Sequence, residues 1–416
     1  MRAWVYYIVF IQFFPSLLWA RTVTVGRDEK ITSIARALLL VSAGDTIVVR
    51  PGIYREGNIR IDKPVVLIGK NRPVLDGENK YELITVTSPH VTIRGFRLIN
   101  SGISGFQDVA GIGALQADYL SVADNEFYNT FFGVKIMNSN YCSVTDNYFQ
   151  AAEAREFEIG NGIHLWQCSE AVIRNNRVTQ HRDGIYFEFV TRSVIERNIC
   201  SENLRYGLHF MFSHEDEYRD NVFRKNGAGV AVMYTRNVKM IRNVFEENEG
   251  NSVYGMLLKD ISDSEVSLNT FRKNTIAVYM EGTSRTRIYR NNYINNGYAI
   301  RLQVSCDNND IVENNFLNNT FDLATNGSLV LNNLSRNYWD KYQGYDLNKD
   351  GTGDIPYSPV SLYSMIVERI PAAVFLWRSF LVYLLDRAEK ALPVVTPENL
   401  KDASPRIKPH DFNTSA

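Results

Sequence analysis

Short apolar runs that begin on a small residue recur about every 22 residues through the middle of the chain, and this repeat restricts the fold more than any other feature. They are Gly133-Val134-Lys135-Ile136, Gly162-Ile163-His164-Leu165, Gly184-Ile185-Tyr186-Phe187, Gly207-Leu208-His209-Phe210 and Gly229-Val230-Ala231-Val232, followed by Gly255-Met256-Leu257-Leu258, Ala277-Val278-Tyr279-Met280 and Ala299-Ile300-Arg301-Leu302. Their starts are 29, 22, 23, 22, 26, 22 and 22 residues apart. A second phase with the same period sets Asn ahead of a large apolar residue: Asn125 with Phe127, Asn147 with Phe149, Asn221 with Phe223, Asn243 with Phe245, Asn269 with Phe271, and Asn315 with Phe316. Two registers sharing one period mark a solenoid rather than a string of independent domains.

Each unit holds two or three short strands between Asn, Asp and Gly turns, which leaves no room for a crossover helix. The expected fold is all-β, a parallel β-helix of roughly eleven coils stacked about 4.8 Å apart, hence on the order of 50 Å long. The repeated Asn has a structural explanation. Its amide can bridge the turns of neighbouring coils, and Asn tolerates the left-handed backbone that turns need. An open end would expose apolar stuffing and strand edges. The helical spacing from Ile31 to Val41 therefore reads as a plug on the first coil, inside an N-terminal cap over residues 21–58, with the coils over 59–345.

Composition narrows the function. Lys plus Arg is 45 and Asp plus Glu is 46, a balance that gives no field for a polyanion, so nucleic acid is not an expected partner. Arg2 precedes a nearly uncharged stretch, Ala3 to Leu18, and Leu18-Trp19-Ala20 offers a small residue before Arg21. Residues 1–20 are expected to be a signal peptide, with an uncleaved membrane anchor as the alternative. Cys142, Cys168, Cys200 and Cys306 show no C-x-x-C spacing and read as buried small hydrophobes, with a Cys142–Cys168 bridge as the alternative.

Several phrases resemble the NosD family. They are AGDTIVVRPGIYREG in the cap (residues 43–57), Pro73-Val74-Leu75-Asp76-Gly77, and Thr92-Ile93-Arg94-Gly95-Phe96 with Asn100-Ser101-Gly102. More specific are Asn337-Tyr338-Trp339-Asp340 through Asp354-Ile355-Pro356-Tyr357 and the tail phrase Leu392-Pro393-Val394-Val395-Thr396-Pro397. The resemblance implies an exported, right-handed β-helix accessory protein for maturing the copper-sulfur centres of nitrous-oxide reductase. It further implies an ABC-transporter permease and its cytoplasmic ATPase, a copper-donor lipoprotein and the immature reductase as partners. The chain carries no P-loop motif of its own, so nucleotide work would belong to a partner.

Counting from each small residue, the second and fourth positions after it face outward. This gives Lys135 and Met137, His164 and Trp166, Tyr186 and Glu188, His209 and Met211, and Ala231 and Met233 on successive coils. Thioether and imidazole donors suit Cu(I), so His209, Met211 and Met233 form the candidate copper set, with His164, two coils from His209, as a more distant donor. His181 and His214 fall in flanking turns. The competing reading makes the Met, Trp and Tyr residues, Trp166 and Tyr186 among them, a protein-binding surface. The long repeats at Ala151 to Ile159 and Glu246 to Asn251 would roof this column.

Residues 346–360 hold a second metal-like pattern, in which Asp346, Asn348, Asp350 and Asp354 place oxygens at calcium-loop positions with Gly351 at the sixth. Tyr357 stands where such a loop needs Glu, so a structural Ca²⁺ and an ion-free turn both remain open. From Leu362 to Leu385 the pattern is apolar and helical but broken by Pro371 and charged residues, too polar for a span. Residues 361–416 are expected to be a docking tail, meeting a partner through Val374, Phe375, Trp377, Phe380, Leu381 and Leu384, while the bland reading has the helix cap the last coil. Two other functional classes compete. A secreted polysaccharide lyase, hydrolase or epimerase would draw on Asp183, Glu188 and Arg205 near His181, without a second aligned acid. An adhesive rod would not account for the tail.

Overall fold

Alternation of branched apolar and polar residues divides each repeat into short strands, and each strand pairs with its equivalent one repeat later. The computed structural model describes residues 20–103, 109–152, 158–250, 253–327, 331–377, 379–391 and 400–412. Three parallel sheets result, with 14, 13 and 12 strands. In the order the chain enters them they are sheet 1 (Thr22–Val25 to Asn333–Ser335), sheet 2 (Ile53–Tyr54 to Tyr338–Trp339) and sheet 3 (Ile59–Ile61 to Phe321–Thr325). The chain is a parallel β-solenoid of about 13 turns. This exceeds the expected count because the first coils, paired through Thr22–Val25, Thr46–Val49 and Val66–Gly69, lack the Gly and Asn signature.

Inward side chains merge into one continuous core. Along sheet 2, Phe223, Phe245, Phe271, Tyr293, Phe316 and Trp339 stack with successive centroids 5.4, 4.6, 5.1, 4.9 and 4.0 Å apart. Each such pair adds about 0.5–1.5 kcal/mol beyond its buried area. The repeated glycine answers a steric demand. A Cβ on Gly184 would stand 2.5 Å from the carbonyl oxygen of Gly207, and one on Gly229 would stand 2.3 Å from that of Gly255. Sheet pairing skips these glycines: Asp183 opposes Tyr206, and the next partners are Ile185 and Leu208.

The asparagines form the expected ladder, running Asn125, Asn147, Asn176, Asn198, Asn221, Asn243, Asn269, Asn291, Asn314 and Asn337. At each rung the backbone N–H and Nδ2 donate to Oδ1 of the next Asn, both at 3.0 Å from Asn221 to Asn243. Nδ2 also donates backward, from Asn221 to the Ile195 carbonyl at 2.9 Å. Two details differ from expectation. The ladder member is Asn314, because Asn precedes the core residue by two, and Asn315 belongs to the strand Asn315–Leu317. The left-handed backbone falls on the residue before each ladder Asn, such as Asp124, Asp146 and Asp220. The ladder ends on a carboxylate: Asp402 Oδ2 accepts from Asn337 N (2.9 Å), Asn337 Nδ2 (3.1 Å) and Trp339 Nε1 (3.0 Å).

Helix α1 (Ile34–Leu40) plugs the first coil with Ile34, Ala37 and Leu38, and Glu56 accepts from the free amides of Ile34 and Ala35 at its start. At the other end α2 (Leu362–Arg369) packs on the last strand of sheet 3, where Phe321, Tyr363, Val367 and Val382 form a small second core. Glu368 there accepts from Arg301 at 2.7 Å. A 3-10 turn, Pro371–Leu376, leads to α3 (Phe380–Ala391). Leu400 to Phe412 then runs back over the last coil, bridging Leu334 to Asp402 and Tyr338 to Arg406. The end of the expected docking tail is thus folded onto the end of the rod from Leu400 onward, because the last coil's open edge and Asn337 need partners. Residues 392–399, with the tail phrase, lie outside the described residues, as do residues 1–19 of the expected signal peptide. All four cysteines are free and buried, so Cys142 and Cys168 form no bridge, and burial pushes their thiols up to about 12 and about 11.

Candidate functional site

Sheet 3 fixes the outward rows. One runs Lys135, His164, Tyr186, His209, Ala231, Leu257, Tyr279 and Arg301. The other runs Met137, Trp166, Glu188, Met211, Met233, Lys259 and Glu281. Met211 and Met233 are therefore direct partners on adjacent rungs, with His209 two residues before Met211 on the same strand.

The face is outward without being open. His209 is 4% exposed, Ala231 0% and Leu257 8%. The cover over His209 includes the ring of Tyr206, 4.7 Å from the imidazole, and Tyr186 lies edge-on at 5.0 Å. Counting from the glycine missed Tyr206, because pairing skips Gly207 and the residue before it joins the outer face. The imidazole leans toward Asp183, whose Oδ2 is 3.7 Å from His209 Nδ1. Asp183 Oδ2 and both His209 nitrogens are buried without a hydrogen-bond partner. Asp183 Oδ1 accepts from the Tyr206 amide at 3.3 Å and faces Arg205 Nε at 3.7 Å.

Tyr186 separates the candidate donors. Its hydroxyl donates to Glu188 (3.2 Å) and lies 3.9 Å from Met211 Sδ. Burial, then the Glu188 charge, push its phenol up to about 12, so it stays a donor at neutral pH. His164 stacks on the other side of Tyr186 at 4.7 Å, with Nδ1 3.0 Å from Asn161 Nδ2. His164 and His209 thus flank one tyrosine, and half-buried Trp166 opposes Glu188 one rung on. His181 lies inside the turn with Nδ1 near the Gly160 carbonyl, and burial pushes its imidazole down to about 4. His214 accepts the Arg236 amide at Nδ1. Sequence reading also missed a stack beside the methionines: Phe189, Phe212 and Tyr234, 5.3 and 5.0 Å apart and partly exposed, each directly following a sheet 3 strand. Their spacing of 23 and 22 residues was the available signal.

In the Asp-rich loop, Asp346 accepts from the amides of Asp350 and Gly351, Asn348 from Asp350, Asp350 from Thr352, and Asp354 from Leu347. The amide of Thr352 chiefly holds the Asp350 carboxyl below its ordinary range. These side chains serve the loop's own backbone, and the loop is tied to the returning tail by the Thr352–Arg406 bridge. On the tail helices the expected partner-facing side chains are uncovered: Phe375 is 89% exposed and Phe380 74%, with Val374, Leu381 and Leu384 also exposed. Trp377 is shared, lying 5.5 Å from Phe321 of the last coil. The tail therefore covers the end of sheet 3 and still presents an apolar surface. Among the described residues no helix is long and apolar enough to cross a membrane.

Comparison with known proteins agrees with this architecture. Solved structures share the solenoid at low identity: an alpha-1,3-glucanase catalytic unit from Streptomyces thermodiastaticus (12% identity, TM-score 0.61, 77% of this chain and 69% of that one) and the A-module of a mannuronan C-5 epimerase from Azotobacter vinelandii (17%, 0.52, 73% and 88%). A surface adhesin of Streptococcus pneumoniae shares it too (10%, 0.52, 71% and 88%), so these likenesses establish the fold alone. The family described as "Periplasmic copper-binding protein (NosD)" matches residues 151–349. The protein named "Probable ABC transporter binding protein NosD" of Pseudomonas aeruginosa is 30% identical over 371 residues, covering 85% of this chain and 86% of its own length. Its namesake from Stutzerimonas stutzeri is 26% identical over 373 residues, covering 85% of each. On this likeness along nearly the whole solenoid, the chain belongs to the NosD family.

Proposed function

We propose that this chain is a non-enzymatic periplasmic accessory protein for copper-sulfur centre assembly in nitrous-oxide reductase. In this reading it handles copper as cargo on sheet 3 and docks through its tail to an ABC transporter. The permease and its ATPase would meet the exposed surface of Phe375, Phe380, Leu381 and Leu384. The copper-donor lipoprotein and the immature reductase would exchange cargo at the sheet 3 face. The Asp346 to Asp354 loop would act as a structural turn, with Ca²⁺ competing against its own amides.

The observation that carries the copper assignment is the row register. Two thioethers stand on adjacent rungs beside an imidazole whose nitrogens are buried and unpartnered. Soft sulfur and imidazole nitrogen together suit Cu(I), and a buried nitrogen without a hydrogen bond costs about 1–3 kcal/mol unless a ligand satisfies it. His164 would serve as a neighbouring donor behind Tyr186. The test is anaerobic Cu(I) titration of the mature protein with and without His209→Ala, Met211→Leu and Met233→Leu combined. Loss of one equivalent supports the site, and unchanged stoichiometry removes it. The carbohydrate-active alternative draws on Asp183 and Arg205 lying together, and turnover of uronate polymers would promote it.

A further inference from the structure

His209 carries two bare nitrogens, and only one of them can face a carboxylate. Asp183 sits at the start of the preceding rung, its side chain 1% exposed, with Oδ2 toward His209 Nδ1 at 3.7 Å and no hydrogen bond of its own. Its other oxygen accepts from the Tyr206 amide and faces Arg205, so the carboxylate is anchored on one side and free on the other. The imidazole is confined between the rings of Tyr206 and Tyr186, which restricts its motion to a swing in its own slot. A small swing brings Nδ1 into hydrogen-bonding range of Oδ2. A neutral imidazole that donates from Nδ1 keeps its lone pair on Nε2.

We infer that Asp183 is the positioning carboxylate of the His209 donor: it holds the Nδ1–H tautomer, leaving the Nε2 lone pair free for a soft metal cation. This rests on the copper-handling reading and deepens it, because a carboxylate behind a ligating imidazole fixes ring orientation and raises ligand basicity. Asp183 touches no cargo itself. Arg205 and the Tyr206 amide hold the carboxylate in place from the opposite side.

The direct test needs no metal. The protein has six histidines, few enough for selective ¹⁵N-imidazole labelling to resolve each ring in long-range ¹H–¹⁵N spectra. The signal lost in His209→Gln should report the Nδ1–H tautomer in the otherwise native protein, and the same ring in Asp183→Asn should show a mixture of tautomers. A native His209 protonated on Nε2 overturns the proposal. Anaerobic Cu(I) competition titrations give the second readout: Asp183→Asn should bind about 10–100-fold more weakly, with Asp183→Glu recovering part of the loss. Native affinity in a folded Asp183→Asn protein also overturns it. Should Asp183→Asn fail to fold, the tautomer in the native chain still decides. Should His209→Gln leave Cu(I) binding unchanged, the copper reading fails, whereas the metal-free tautomer judges the Asp183 assignment separately.

Discussion

Replacing Asp402 by Ala removes the acceptor on which the asparagine ladder ends. Three buried N–H groups lose their acceptor at once, on Asn337 N, on Trp339 Nε1 and on Asn337 Nδ2, whose other hydrogen still reaches the Ile311 carbonyl. Each unsatisfied buried donor costs about 1–3 kcal/mol, and partial hydration at the rod's end brings the expected total to roughly 3–6 kcal/mol. The Arg336 and Ser404 amides lose their Oδ1 acceptor too, so residues 400–412 should detach along with the ladder's last rung. In a solenoid each coil mainly feels its neighbours, so the loss should stay local. Hydrogen–deuterium exchange should show protection in peptides covering 333–340 and 400–412 falling about 10²–10⁴-fold, with 120–230 unchanged. Asp402→Asn, which keeps an acceptor, should lose far less. A uniform loss along the rod, or less than tenfold at its end, refutes the idea that this carboxylate seals the ladder.

Gly207→Ala drives a methyl against the Gly229 carbonyl and the Phe223 ring and should cost about 1–3 kcal/mol in urea unfolding, whereas Ala277→Gly should be milder. Arg301→Met leaves Glu368 buried without its cation and should release α2 from sheet 3, seen as faster proteolysis after Pro371, by about 3–5 kcal/mol of local stability. Burial pushes the Asp322 carboxyl, beside Lys341, up to about 6. The folded chain then binds that proton more tightly than the unfolded one, so the contribution is full below the ordinary 3.8 and is lost as pH rises through about 6. The last coil should be less protected at pH 7.5 than at pH 5, by about 1–3 kcal/mol, and Asp322→Asn should flatten that dependence. Phe375→Ser with Phe380→Ser should move thermal stability by about 0.5 kcal/mol or less while weakening capture by detergent-solubilised permease, and unchanged capture would count against the tail as docking surface.

The solenoid was legible because its period is written twice, in the small residue that opens sheet 3 strands and in the Asn two residues ahead of the sheet 2 core. Where the signature is absent, as in the coils before Gly111, the count fell short. The outward rows were legible because parallel pairing superposes equivalent residues, and the alternation held from Leu208 to Met211. It was not legible that this face is covered. Glycine interrupts the alternation, so Tyr206 folds over His209, and the imidazole that alternation assigns to solvent is buried against Asp183. The misplaced Asn315 has a plainer cause, since Asn314 and Asn315 stand side by side and only the two-residue spacing to Phe316 separates them. The return of Leu400 to Phe412 depends on contacts some sixty residues apart in sequence, between Asn337 and Asp402, which no local pattern encodes.

Because each ladder backbone N–H and one hydrogen of each Nδ2 are donated toward the next rung, the stack has a polarity: each new rung satisfies the one before it and leaves its own forward-pointing hydrogens unclaimed. A chain folding from its amino end can therefore lengthen the rod turn by turn, yet no intermediate length is finished. Closure waits for an oxygen delivered by residue 402, which follows α2 and α3 in the chain, so the residue that seals the far end of the rod is made only after the exposed apolar side chains of the tail.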